Sequence, residues 1–149
     1  MAEINLSQEE ADALLAMPKI CENEREWDYP SLGGRVSVPL VSRDKREPFV
    51  LGVQRGRIDL KKGSYLTLGR QVIILARLDF GGRPHRNPDG AEMPCPHLHV
   101  YREGFGSKWA ISVPNNHFYD LSDPWVILQD FMQYCGIVEP PFFRRDLFV

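Results

Sequence analysis

A chain of 149 residues with 43% hydrophobic content is long enough for one domain with a sizeable core, and residues 1–149 are expected to form a single unit. Its three cysteines include no Cys-x-x-Cys pair, which argues against a disulfide framework and a thiolate zinc site, and the net charge of −2 excludes no class of partner. No stretch approaches the roughly 20 apolar residues of a membrane span, and the acidic opening MAEINLSQEE lacks a signal core, so a cytoplasmic protein is expected.

The first predicted element is a helix. Ser7 is a good N-cap, Glu10 stands three residues on as its capping-box partner, and Leu6 precedes them as a hydrophobic staple. Leu14, Leu15 and Met17 supply an apolar stripe until Pro18, which ends the helix or opens a second short one over residues 19–25. From residue 35 the pattern becomes that of strands, with Val36, Val38 and Leu40 alternating with polar or small partners. Strands follow over 49–54 and 57–60 around an Arg55-Gly56 turn, then over 65–68 and 72–80. In the last of these, Ile74, Ala76, Leu78 and Phe80 are expected on one face, and Ile73, Leu75, Arg77 and Asp79 on the other.

The turn Asn87-Pro88-Asp89-Gly90 reverses the chain into a strand over 94–102, where His97, His99, Tyr101 and Glu103 share a face opposite Leu98 and Val100. A strand over 108–113 comes next. Asp123 then caps a helix with Pro124 at its first position, Trp125, Leu128, Phe131, Met132 and Cys135 on its apolar face, and Gly136 at its end. The aromatic tail EPPFFRRDLFV is expected to pack back on the domain. The fold class is α+β: an N-terminal helix or helix pair, a six-strand, mainly antiparallel meander sheet, and a C-terminal helix packed on it.

Charge is segregated along the chain. Residues 35–86 hold twelve bases against four acids, while the segments before and after are acidic. A basic middle is the footprint of a polyanion-binding face, unless the acidic helices simply balance it. Arg55, Arg57, Lys61, Lys62, Arg83, Arg86, Arg102 and Lys108 are the candidate nucleic-acid contacts.

Three of the four histidines, His85, His97 and His99, lie within residues 77–109 together with Arg77 and Asp79; His117 reads as a loop residue. Two stretches there, RLDFGGRPHRNPDG and CPHLHVYREGFGSKWA, resemble the signature of a family of short, uncharacterised bacterial proteins. A weaker resemblance, carried by Arg77, Asp79, His85, Pro96, His97 and His99, is to toxins of the TumE type, and it implies a nuclease or RNA-binding role.

The chemistry of these residues suits that role. Metal-independent RNA cleavage needs a base for a 2′-hydroxyl, an acid for the leaving oxygen and a cation for the phosphorane. His97 and His99 can share the proton roles, or one can pair with His85; Arg77, Arg102 or Lys108 can hold phosphate, and Asp79 can orient an imidazole. A toxin-like endoribonuclease using a histidine pair, with no cofactor, RNA as substrate and a cognate protein partner, is therefore the expected function. A non-catalytic inhibitor or regulator from a mobile element, binding a nucleoprotein complex, is the alternative, and it predicts scattered or buried histidines. A second alternative is a cupin-like metal site formed by His97, His99 and Glu103.

Overall fold

The computed structural model of the protein describes residues 5–59 and 61–145. In chain order its elements are α1 (Gln8–Ala16), β1 (Lys19–Cys21), β2 (Glu26–Asp28), β3 (Arg35–Ser42), β4 (Pro48–Arg55), β5 (Gly63–Gly69), β6 (Ile73–Phe80), β7 (His85–Arg86), β8 (Glu92–Met93), β9 (His97–Val100), β10 (Ala110–Ser112), α2 (Pro124–Tyr134), β11 (Ile137–Glu139) and β12 (Phe142–Arg144). The class is α+β, with a main sheet of eight strands in the order β10-β9-β6-β5-β4-β3-β1-β11. The expected six strands therefore fall short by two: β3 to β6, β9 and β10 form an antiparallel meander, and β1 and β11 extend it at one side.

The extra strands correct the reading of residues 19–25 as a helix. The Ser7–Glu10 capping box opens α1 as expected, but the chain after Pro18 runs as β1, antiparallel to β3 and parallel to β11. Neighbours on both sides satisfy the backbone groups of β1, an outcome no local helix signal registers. The expected strand over 57–60 is also absent: residues 57–59 form the connection between β4 and β5, and Leu60 lies outside the described residues. The tail does pack back, with β12 pairing parallel to β2 and Phe143 buried, while residues 146–149 lie outside the description.

One bulge changes which side chains of β6 face inward. Thr67 pairs with Ala76 and Leu68 with Ile74, so Leu75 is an extra residue with no partner on β5. A bulge reverses the alternation beyond it. Ile73 and Leu75 consequently join Ala76, Leu78 and Phe80 in the core, and Arg77 and Asp79 alone keep the outer face expected for all four.

The core lies under the inner face of the sheet, where Leu51, Tyr65, Leu78 and Leu98 meet Ala11 and Leu14 of α1 and Ile127, Leu128 and Phe131 of α2. Asp123 caps α2 by accepting from the Trp125 N–H. Lys19 is fully buried between the ends of the two helices. Its ammonium donates to the carbonyls of Leu15 (2.8 Å), Met17 (2.9 Å) and Cys135 (2.7 Å), placing a cation at two helix C-termini. Burial lowers its pKa to about 8. No helix among the described residues is long and apolar enough to cross a membrane.

Candidate functional site

The outer face of β6 and β9 carries the site. Across this antiparallel pair Asp79 stands opposite His97, and Arg77 opposite His99, while Leu78 and Leu98 between them point into the core. The register thus gathers four polar side chains on one patch. From the other side, β5 places Ser64 opposite Asp79, and its hydroxyl donates to Asp79 Oδ1 (2.7 Å).

Residues 81–96 fold over this patch. The β7–β8 hairpin turns at Asn87–Gly90, where the Gly90 N–H donates to the Asn87 carbonyl (2.8 Å) and Gly90 takes φ +87°. The side-chain amide of Asn87 then acts as a surrogate strand: it accepts from the Ala110 N–H (2.8 Å) and donates to the Ala110 carbonyl (2.9 Å). This clamp holds the hairpin against β10 and brings His85 over the patch, where its Nε2–H donates to the Lys108 carbonyl (2.7 Å). Asn87→Ala leaves both buried Ala110 groups unpaired, and we expect a loss of about 1–3 kcal/mol in urea unfolding. An unchanged midpoint would show that water replaces the amide.

The three imidazoles converge. Ring centroids are separated by 4.5 Å for His85–His99, 5.0 Å for His97–His99 and 5.8 Å for His85–His97. Asp79 Oδ2 lies 3.3 Å from the Nε2 of both His97 and His99. Arg77 grips the carboxylate with two donors, Nε to Oδ1 (3.1 Å) and Nη2 to Oδ2 (3.2 Å), and its Nη2 is also 3.0 Å from His99 Nε2. The far ring nitrogens meet backbone carbonyls: His99 Nδ1 that of Ser107 (2.8 Å) and His97 Nδ1 that of Pro94 (3.3 Å).

Burial and charge act together here. His97 and His99 are only 2% and 1% exposed, while the side chains of Arg77 and Asp79 keep 29% and 25%. Burial alone would raise the Asp79 pKa, but the close contact with His99, the hydrogen bond from Ser64 and the charge of Arg77 outweigh it and hold the carboxyl well below the usual range. Burial pushes the His97 pKa down, with the neighbouring His99 adding to the effect and Asp79 opposing it.

All five residues expected to carry chemistry, Arg77, Asp79, His85, His97 and His99, thus lie together. Glu103 does not join them. The strand ends at Val100, so the alternation stops; Tyr101 turns inward to bond Leu6, and Glu103 accepts from the Gln8 N–H (3.2 Å) at the start of α1. The carboxylate beside the histidine pair is Asp79 instead, and the ligand atoms of Asp79, His97 and His99 all lie within 4.8 Å of one another.

The candidate RNA contacts divide. Arg55 is buried, donating to the Pro30 carbonyl (2.9 Å), which corrects its placement on an open face. Arg102 stacks over Trp109 (4.3 Å) and Arg86 pairs with Glu92 (3.5 Å), both exposed. Arg57, Lys61, Lys62, Arg83 and Lys108 are exposed, and Lys62 and Arg83 border a cleft of about 360 Å³ that reaches Asp79 and Ser64. Ser64, Asn87 and the carbonyls of Pro94 and Ser107 escaped the sequence reading. Only a known strand register would have pointed to Ser64, and the loop carbonyls leave no sequence signal.

Among known proteins, no curated protein matches the chain, and no solved structure does. A family model does match, over residues 6–137, and it is described as a family of unknown function. That span takes in both helices, the meander and every member of the histidine cluster, and the chain belongs to this family of unknown function, DUF6978.

Proposed function

We propose that the protein is RNA-directed and that the Arg77–Asp79–His85–His97–His99 cluster cleaves a phosphodiester by proton transfer. The observation that carries this reading is the convergence of three imidazoles on an arginine-gripped carboxylate, beside a cleft bordered by Lys62 and Arg83. The resemblance to TumE-type toxins points the same way. The roles differ from those the sequence suggested, because His97 and His99 are sealed and their nitrogens already engaged. His85 is half-buried and is the base that takes the 2′-hydroxyl proton: its Nε2–H is held by the Lys108 carbonyl, which leaves Nδ1 as the acceptor in the neutral ring, and the 5′-oxygen leaves with a proton from water. Arg77 supplies the cation nearest the developing charge.

The test is cleavage of single-stranded RNA by wild type and His85→Ala. We expect a loss of about 10²-fold, with circular dichroism unchanged. Equal rates would remove His85 from the chemistry. RNA affinity should also fall steeply with salt, and Lys62→Glu with Arg83→Glu should flatten that dependence; affinity indifferent to both would remove RNA as the partner. Burial of His97 and His99 favours a second reading, a binding protein without catalysis, in which wild type retains RNA without cleaving it.

A further inference from the structure

We infer that His97 Nε2, His99 Nε2 and Asp79 Oδ2 form a binding site for one divalent transition-metal ion, and that the Arg77 guanidinium is the internal cation the metal displaces. The first ground is a count of protons. Both ring nitrogens of His97 face oxygen acceptors, Nδ1 the Pro94 carbonyl and Nε2 the Asp79 carboxylate, each at 3.3 Å. A neutral imidazole has one N–H and can serve only one of them. His99 repeats the arrangement, with Nδ1 on the Ser107 carbonyl (2.8 Å) and Nε2 on Asp79 Oδ2 (3.3 Å). If each Nδ1 keeps its hydrogen for its carbonyl, two nitrogen lone pairs and a carboxylate oxygen converge on one point, and that point calls for a cation.

Arg77 meets the demand only in part. Its Nη2 reaches His99 Nε2 (3.0 Å) and Asp79 Oδ2 (3.2 Å), while His97 Nε2 has Asp79 as its partner. A metal ion would take all three atoms and leave both Nδ1–H bonds intact. A backbone carbonyl on the far nitrogen is the usual support of a metal-bound histidine, since it fixes the tautomer and the ring plane. Ser64 does the same for the carboxylate by holding Oδ1.

The spacing agrees. Ligand atoms about 2.0–2.2 Å from one ion lie roughly 3.0–3.5 Å apart at its coordination edges; both Nε2–Oδ2 distances are 3.3 Å, and the three atoms lie within 4.8 Å of one another, so the two imidazoles have only to draw together on loading. Two histidines and one carboxylate on one side of an ion, with open positions on the other, suit zinc, manganese or iron(II) rather than calcium or magnesium. The alternative cation is a second proton on His97.

The experiment uses tag-free, chelator-treated full-length protein titrated with Co²⁺, followed by its visible absorption and by elemental analysis after Zn²⁺ loading. We expect one ion per chain and a raised thermal midpoint. His97→Ala and His99→Ala should each weaken Co²⁺ binding by more than about 100-fold, with His99→Gln as a milder variant should the alanine chains unfold. Arg77→Gln should tighten binding several-fold, because it removes a positive charge from the site; a merely structural cluster would not respond in that direction. Absence of stoichiometric binding by both wild type and Arg77→Gln would overturn the inference, and so would Co²⁺ binding that survives loss of both histidines. None of these readouts contains RNA, so failure here leaves the RNA reading standing, and failure there leaves this one.

Discussion

Metal-free protein carrying Asp79→Ala is expected to unfold about 3 kcal/mol more readily than wild type at pH 7. The carboxylate accepts from Arg77 and Ser64 and faces both buried imidazoles, so its removal leaves a partly buried guanidinium without its counter-charge and two sealed rings without their polar neighbour. Acid dependence gives the sharper reading. The Asp79 pKa is lowered in the folded state, so its contribution is present above the unfolded value of about 3.9 and disappears as pH falls through that value towards the folded one. The His97 pKa is also lowered, so the unfolded chain takes up a proton first and stability already declines below about pH 6.5. Wild type should therefore lose stability in two stages on acidification, and Asp79→Ala should show a smaller lower stage, since hydrogen bonds also hold the Asp44 and Asp120 carboxyls low. Urea midpoints measured between pH 3 and 8 decide it; parallel curves for the two proteins would mean that Asp79 is solvated and uncoupled from the histidines.

Lys19→Met should have an effect of similar size far from the site, about 3 kcal/mol at pH 7. Methionine fills most of the space, but three buried carbonyls at the ends of α1 and α2 lose their donor. The alkaline range separates this residue from its neighbour Cys135. Burial lowers Lys19 from 10.5 to about 8, so the folded chain loses that proton first and stability rises with pH between those values. Burial pushes the Cys135 thiol from 9.0 to about 12, so stability falls with pH across that second interval. The two trends oppose each other in wild type. In Lys19→Met only the decline remains, and the unfolding midpoint should start to drop near pH 9. A variant as stable as wild type, or one with an unchanged alkaline profile, would show that water reaches these carbonyls.

Local grammar was legible wherever one residue type dictates one conformation. Ser7 with Glu10, Asp123 with Pro124 and the Asn87–Gly90 turn all stand where their chemistry places them. The alternation that puts His97 and His99 opposite Leu98 was legible too, because a strand has a period of two. What escaped depends on distant partners. The bulge at Leu75 inverts half of β6 without any glycine or proline to announce it, and β1 exists only because β3 and β11 flank it. Glu103 looked like a ligand because it is near His99 in sequence, whereas Asp79, twenty positions away, is beside it in space. Burial of the histidines was hidden for the same reason, since their cover comes from a separate segment held by Asn87.

That clamp also bears on how copies of the chain meet one another. An uncovered sheet border invites strands from other molecules and is a common start for aggregation. At the β10 border the outward backbone pair of Ala110 is already taken by Asn87, so an incoming strand would have to evict an amide that makes two bonds. At the opposite border β11 has no such guard among the described residues; it offers half-exposed Val138 beside Glu139, whose carboxylate lies 3.6 Å from Arg43. The molecule is therefore polar with respect to self-association, closed where the histidines lie and open at the far side. Loss of Asn87 would turn a capped border into a second adhesive one, through which chains could add end to end.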